Sequence, residues 1–103
     1  MPEYLYVYYG GSGATPTPAE QEKTIAVWMT WFERLGSAVV DVGAPVKAGK
    51  TVNRTRTTAT GKDSVAGYTV VRANNMGAAV KMARSHPDVA RGMKIAVYEI
   101  TPV

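Results

Sequence analysis

The chain has 103 residues, of which 46% are hydrophobic and 19% charged, and it contains no cysteine. This length predicts one domain over residues 1–103, near the small end of those that fold alone. The lack of cysteine excludes disulfides and thiolate metal sites, and with a single histidine a metal would need mostly oxygen ligands. We therefore predict neither a metal nor another cofactor. No apolar run reaches the roughly 20 residues that cross a bilayer, and no basic region precedes the first apolar stretch, so we expect a cytoplasmic protein without a membrane partner.

The net charge of +4 has a local origin in a Thr- and Gly-rich middle segment that lacks helical periodicity. Its basic residues are Lys47, Lys50, Arg54, Arg56 and Lys62. An exposed, mobile basic loop is the simpler interpretation, because charge runs are usually solvated. The alternative is a flap that contacts an anion, in which Arg54 would bind the ligand.

The first strand is predicted over Glu3–Tyr9, where Leu5 and Val7 alternate with tyrosines and give two apolar faces. Thr17-Pro18-Ala19-Glu20 has the form of a capping box and predicts the start of a helix. Gly36 is placed to end that helix in a left-handed cap. An apolar stripe at helical spacing predicts its core face, with a ligand wall as the alternative; the stripe contains Ile25, Trp28, Met29, Phe32 and Leu35.

Three further strands and one helix follow. The second strand is predicted over Ser37–Val42, with Thr51-Val52 as an extension, the third over Gly67–Ala73 and the fourth over Lys94–Ile100. Asn74 or Asn75 caps the second helix, whose small-residue stripe contains Met76, Ala79, Val80 and Ala83. The order βαββαβ predicts an α+β, ferredoxin-like fold in which one antiparallel sheet carries both helices on one face.

That arrangement leaves the second sheet face uncovered, although the strands carry aromatic or apolar side chains on more than one side. Two coverings are familiar, and they predict different functions. A second copy can pack sheet to sheet, or single-stranded RNA can stack on exposed aromatics. The third-strand sequence "AGYTVVRA" fits the aromatic signature of RNA-binding domains poorly, so a nucleic-acid partner is the alternative rather than the expectation.

Three stretches carry a family resemblance: "YLYVYYGG", "LGSAVVDVGAP" and the tail "GYTVVRANNMGAAVKMARSHPDVARGMKIAVYEITPV". Together they resemble the YCII-related family, including its DGPF-domain relatives. The resemblance implies a dimeric α+β barrel, in which two ferredoxin-like protomers pack their sheets together, and a small-molecule cleft. Most members of that family lack an assigned reaction, and a few relatives on the fold act in the degradation of aromatic compounds.

The chain departs from this family at two places. Some members pair a histidine of the first helix with an aspartate near the second strand, whereas this first helix contains no histidine. The acidic DGPF-like segment is also replaced by the basic residues 51–62. Asp41 lies closest to the aspartate of the family's dyad and is the candidate catalytic residue, as a proton acceptor or ligand anchor. The alternative is an aspartate that bonds the backbone of the turn at Val42–Ala44.

His86, the single histidine, precedes Pro87 and is expected to mark the exit from the second helix, where its imidazole bonds the last carbonyls. For such a helix-end contact, His86→Ala is expected to cost less than about 1.5 kcal/mol. The glycine-rich stretch Gly10–Gly13 lacks the spacing of a phosphate loop or a dinucleotide fingerprint and is interpreted as a turn.

These observations predict a homodimeric protein that binds a small molecule. It is either a cofactor-free enzyme of lyase, isomerase or oxygenase type, or a binding module without chemistry. The candidate ligand-binding residues are Tyr6, Tyr8, Trp28, Phe32, Tyr68 and Arg54.

Overall fold

The computed structural model describes residues 1–9, 17–60 and 64–102. They form an α+β fold with a four-stranded antiparallel sheet, two helices and a separate two-stranded sheet. The strands are β1 (Glu3–Tyr9), β2 (Val39–Pro45), β3 (Lys50–Val52), β4 (Thr57–Ala59), β5 (Val65–Arg72) and β6 (Lys94–Glu99). The helices are α1 (Pro18–Leu35) and α2 (Met76–Arg84), and short 3-10 helices cover Gly36–Ala38 and Pro87–Arg91. The predicted turn at Gly10–Gly13 lies outside the described residues.

The main sheet has the strand order β2-β5-β1-β6, with every neighbouring pair antiparallel. In the register, Tyr6 of β1 lies opposite Thr69 of β5 and Val97 of β6. Residues directly opposite one another share a face, and alternate residues point to opposite faces. The sheet therefore has one face that carries Tyr4, Tyr6 and Tyr8, and another that carries Leu5 and Val7.

Both helices pack on the face that carries the buried tyrosines of β1. The Tyr6 ring stacks against Trp31 of α1 with ring centroids 6.2 Å apart, and its hydroxyl donates to the carbonyl oxygen of Ala79 of α2. Burial raises the pKa of Tyr6 to about 12. The core between the sheet and the helices consists of Tyr4, Tyr6, Tyr8, Trp31, Val71, Ala73, Ala79 and Ala83.

The positions of the helix ends match the sequence signals, although Gly36, with ψ −124°, does not adopt the predicted left-handed cap. The hydroxyl of Thr17 accepts from the Glu20 backbone N–H at 3.2 Å, with Pro18 in the first position of α1. Gly36 ends α1 with φ +55°, a conformation that favours glycine. Asn75 caps α2, since its Oδ1 accepts from the Ala78 backbone N–H at 2.8 Å.

The buried face of α1 differs from the predicted one. Trp31 was not part of the predicted stripe, yet it is 1% exposed and is the buried residue of this helix. Trp28, Trp31 and Leu35 recur at spacings of three and four, so they form a second helical stripe that turns toward the core. Ile25 and Met29, which were predicted to be core, are 62% and 53% exposed.

The segment between β2 and β5 is also different from the prediction. Thr51 and Val52 do not extend β2 but belong to β3, which pairs with β4 in a separate hairpin. The side chain of Asn53 nucleates its turn by accepting from the backbone N–H groups of Thr55 and Arg56 at 3.0 and 2.9 Å. Six strands are thus present in the described residues instead of the four predicted.

Within the described ranges, neither helix is long and apolar enough to cross a membrane.

Candidate functional site

A cavity of about 870 Å³ lies between α1, the β2–β5 end of the sheet and the 3-10 helix Pro87–Arg91. The cavity exists because α1 packs on the sheet through Trp31 and part of Trp28. The adjacent face of the helix is therefore turned toward open space. That side of the helix contributes Thr24, Ile25, Trp28, Met29 and Phe32. The sheet contributes residues from β1, β2 and β5, and the last wall is formed by Asp88, Arg91, Gly92 and Met93.

Aromatic rings form the inner wall of the cavity. Tyr8 meets the Trp28 indole edge to face, with ring centroids 4.6 Å apart and an interplanar angle of 82°. Phe32 lies one helical turn further along, with its ring centroid 6.0 Å from that of Trp28. Such pairs add stability beyond the area they bury.

The hydroxyl groups of this wall are bonded to one another. Tyr8 donates to Thr69 Oγ1 at 2.7 Å, and Thr69 donates to the carbonyl oxygen of Val42 at 2.9 Å. Burial raises the pKa of Tyr8 well above its ordinary value, although the Thr69 hydroxyl acts in the opposite direction. Tyr8 is therefore protonated at neutral pH, and its hydroxyl hydrogen is already engaged within the protein.

Glycine allows β2 to approach β5 closely at the cavity edge. Gly43 has φ +73°, and a Cβ at this position would lie 1.8 Å from the carbonyl oxygen of Tyr68. No other residue fits this combination of conformation and space. The "VGAP" sequence therefore sets the position of the β2 wall.

The charged residues of the described lining are Asp88 and Arg91, at one end of the cavity. Their side chains are 3.9 Å apart, and that of Arg91 is 80% exposed. An exposed pair at this distance contributes at most about 1 kcal/mol to stability. The guanidinium is consequently free to turn toward another partner.

His86 lies behind the aromatic wall. It is 1% exposed, and its ring centroid is 4.2 Å from that of Trp28 and 4.7 Å from that of Trp31. Its Nδ1 accepts from the Asp88 backbone N–H at 3.0 Å, which places the proton of the neutral ring on Nε2. Nε2 is buried without a hydrogen-bond partner among the described residues. Desolvation lowers the pKa of His86, and the negative charge of Asp88 opposes this effect.

The predicted role of His86 needs correction. It follows α2, as expected, but its side chain caps the start of the 3-10 helix Pro87–Arg91 and does not bond the last carbonyls of α2. The reason is the ring orientation: an Nδ1 that accepts a hydrogen bond has no proton to give to a carbonyl.

Four of the predicted ligand-binding residues line the cavity: Tyr8, Trp28, Phe32 and Tyr68. Tyr68 pairs with Val7, which places its side chain on the sheet face opposite that of Tyr8. Tyr6 is fully buried in the core and does not line the cavity, and Arg54 is exposed beside the β3–β4 turn, outside the lining.

Asp41 also lies outside the lining. Its side chain is exposed, and Oδ1 accepts from the Gly43 backbone N–H at 2.8 Å. This is the turn-forming arrangement that the sequence analysis gave as the alternative to a catalytic role.

Several lining residues were not predicted from the sequence, namely Thr69, Asp88, Arg91 and Met93. Thr69 had a usable signal, because it is a polar residue that alternation places on the same face as the apolar Val71. The other three are brought to the cavity by the 3-10 helix after His86, and no local pattern marks them.

Among the described residues, no group of three or more His, Cys, Asp or Glu side chains is arranged to hold a metal ion. Comparison with known families and proteins gives no further guide, since no protein-family model and no curated protein matches the chain.

Proposed function

We propose that the protein binds a small, flat, largely apolar molecule in the cavity beside α1. The observation that carries the proposal is the cavity itself, about 870 Å³ in volume and walled by Tyr8, Trp28 and Phe32. Ligand pockets of proteins have volumes of roughly 300–1,000 Å³, with apolar and aromatic walls and a few polar groups that fix orientation. Asp88 and Arg91 supply such groups at one end.

The lining supports binding better than catalysis. A general base needs a reactive, correctly protonated group within reach of the ligand. Tyr8 and Thr69 are bonded to each other, the Asp88 carboxylate faces Arg91, and Asp41 lies outside the lining. We therefore place a binding module ahead of a cofactor-free enzyme of lyase, isomerase or oxygenase type.

Nuclear magnetic resonance tests the binding site directly, because the chain has two tryptophans and hence two indole N–H signals. Trp28 lines the cavity, whereas the Trp31 indole N–H is bonded to Ser85 Oγ at 2.9 Å in the core. A set of small aromatic compounds should include some that shift the Trp28 signal more than the Trp31 signal. If no compound moves Trp28, the proposed site is wrong.

A pair of double variants provides the matched control. Ile25→Gln with Met29→Gln makes the exposed helix wall polar and should weaken binding about tenfold, because apolar contact area is lost. Val52→Gln with Met76→Gln changes two exposed apolar residues outside the lining and should leave affinity unchanged. Equal affinities for the two double variants would show that the ligand binds elsewhere.

For the fold and assembly, we propose a ferredoxin-like topology and a homodimer of the α+β barrel kind, as in the YCII-related family. Without the β3–β4 hairpin, the remaining elements follow the order βαββαβ. The helix-free face of the sheet supports the dimer, because the side chains at its central positions are apolar or aromatic and are half-buried or exposed. By register, this face contains Leu5, Val7, Tyr68, Val70 and Tyr98.

The alternative RNA-binding function would use the same face, where Tyr68 and Tyr98 are exposed. Gel filtration with light scattering distinguishes the homodimer from the RNA-binding alternative. A dimer should have twice the chain mass of 11.0 kDa, and Val7→Lys in the centre of the face should convert it to a monomer. Met76→Lys, which lies outside this face, should leave the dimer intact. A monomeric wild type that binds single-stranded RNA would favour the alternative and contradict the barrel.

A further inference from the structure

We propose that the ligand of the cavity is an anion, with a carboxylate or similar group on its apolar body, and that Arg91 contacts that group. This inference rests on the proposed function and specifies the class of ligand. It follows from the charges around the cavity rather than from its apolar walls.

The first observation is the state of Arg91. Arg91 is the one basic side chain among the described lining residues, and it is mostly exposed. Of the carboxylates in the described residues, only that of Asp88 lies within ion-pair distance of it. A guanidinium has five N–H donors in a planar fork that matches a carboxylate. A contact of 3.9 Å with Asp88 is too long for a hydrogen bond and leaves these donors available.

The second observation is the distribution of charge. The hairpin segment of residues 47–60 contains four basic residues and no acidic one. The remaining sequence has 8 of the 12 basic residues and all 8 acidic residues, so the net charge of +4 equals the charge of this segment. Lys47, Lys50, Arg54 and Arg56 are exposed, and none pairs with a carboxylate of the described residues.

The hairpin segment joins the two strands that form the sheet wall of the cavity. Pro45 and Ala66 both line the cavity, and the Val46 backbone N–H donates to the Ala66 carbonyl at 2.8 Å. Lys47 is two residues beyond Pro45, so their Cα atoms are at most about 7 Å apart. This is within a screening length of roughly 8 Å at physiological salt, so the positive charge of Lys47 acts on the cavity edge.

Asp88 is the opposing feature, because a carboxylate beside aromatic rings can also attract a cation. Its side chain is 27% exposed and faces Arg91, which offsets its charge. By the same proximity, Asp41 beside Val42 of the lining adds a negative charge, and Lys94 beside Met93 adds a positive one. With these charges offset, the positive charge of Lys47 remains, and an anionic ligand is favoured over a cationic one.

Three probes of the same shape test the inference: 2-naphthoate, 2-naphthylmethanol and 2-naphthylmethylammonium. Each is titrated near neutral pH while the Trp28 and Trp31 indole signals are followed. We expect 2-naphthoate to bind about tenfold more tightly than the neutral alcohol, and the ammonium compound to bind most weakly. The preference should decrease between about 20 mM and about 300 mM salt, because the field of the hairpin is screened.

Variants separate the direct contact from the field. Arg91→Gln should lower the affinity for 2-naphthoate at least about fivefold at both salt concentrations and leave that for the alcohol unchanged. Arg84→Gln, an exposed position outside the lining, is the matched control. Changing Lys47, Lys50, Arg54 and Arg56 to Gln should weaken 2-naphthoate binding at low salt only. The matched variant, with Arg34, Arg72, Lys81 and Arg84 changed to Gln, has the same net charge and should bind more tightly than the hairpin variant.

The outcomes distinguish this inference from the proposed function. If all three probes shift Trp28 with equal affinity, or if the ammonium compound binds best, the cavity binds ligands but the anion preference is wrong. The same conclusion follows if Arg91→Gln and Arg84→Gln have equal effects on 2-naphthoate. If none of the probes or other aromatic compounds shifts Trp28, the proposed function fails and this inference fails with it.

Discussion

Protonation of His86 should make the stability of the fold depend on pH in a range where no other side chain of the sequence ordinarily titrates. Desolvation lowers the pKa of His86 from its ordinary 6.5. The unfolded chain therefore takes up a proton near pH 6.5, while the folded chain keeps the imidazole neutral to lower pH. Because the unfolded state then binds more protons, the free energy of unfolding falls as the pH falls below about 6.5.

The structure explains why the folded state resists the proton. A proton on Nδ1 would face the Asp88 backbone N–H, so the hydrogen bond at 3.0 Å would be lost and a buried charge created. The nearby rings of Trp28 and Trp31 and the charge of Asp88 compensate for only part of this cost. Until the folded imidazole takes up its proton, stability should fall by up to about 1.4 kcal/mol per pH unit.

Urea unfolding between about pH 5.5 and about pH 8 measures this dependence. His86→Asn is the reference variant, since an amide oxygen can accept from the Asp88 N–H and does not titrate. We expect the wild type to lose stability below about pH 6.5 and the variant to be nearly independent of pH over this range. A wild-type profile as flat as that of the variant would refute the buried, neutral imidazole.

Three further substitutions test the cavity walls and the turn beside them. Gly43→Ala should destabilise the fold by more than about 2 kcal/mol in urea unfolding, because a Cβ would lie 1.8 Å from the Tyr68 carbonyl oxygen; a smaller loss would contradict the close approach of β2 to β5. Tyr8→Phe should cost about 1 kcal/mol, as expected for the loss of the hydrogen bond to Thr69, and unchanged stability would show that this bond contributes nothing. Asp41→Asn should fold normally and retain ligand affinity in the indole titration, because Oδ1 can still accept from Gly43; lost affinity would restore the catalytic or anchoring role of Asp41.

The sequence predicted the elements that depend on local signals. Thr17, Asn75 and Gly36 mark helix ends through capping and backbone conformation, and these act within a few residues. The alternation in β1 also predicted correctly that the strand has two apolar faces.

The parts that the sequence analysis missed depend on contacts between distant residues. On α1, both possible stripes are apolar, so periodicity alone does not decide whether Trp31 or Met29 faces the core. The decision comes from Tyr6 and Ser85, which contact Trp31 from β1 and from the residue after α2. The burial of His86 has the same origin, because it results from packing against two tryptophans more than fifty positions earlier in the chain.

This burial also changes the expected cost of removing His86. A helix-end contact would be worth less than about 1.5 kcal/mol, but truncation of a buried ring leaves a cavity between Trp28 and Trp31. Large-to-small changes at such sites cost about 2–5 kcal/mol, so His86→Ala should fall in that range. This range is higher than the one predicted from the sequence, because that prediction counted a helix-end contact and not the burial of the ring.

The exposed side of α1 gives an independent reason to assign a function to the cavity. Stability alone requires the helix to bury Trp31 and part of Trp28, and its solvent side carries charges such as Glu22, Lys23 and Glu33. Ile25 and Met29 are also exposed, yet they are apolar and line the cavity. Large apolar side chains clustered on an accessible surface generally mark a binding site, because they gain little for the isolated fold. Under the proposed function, their stabilising contact comes from a molecule that occupies the cavity, and the paired glutamine variants test this.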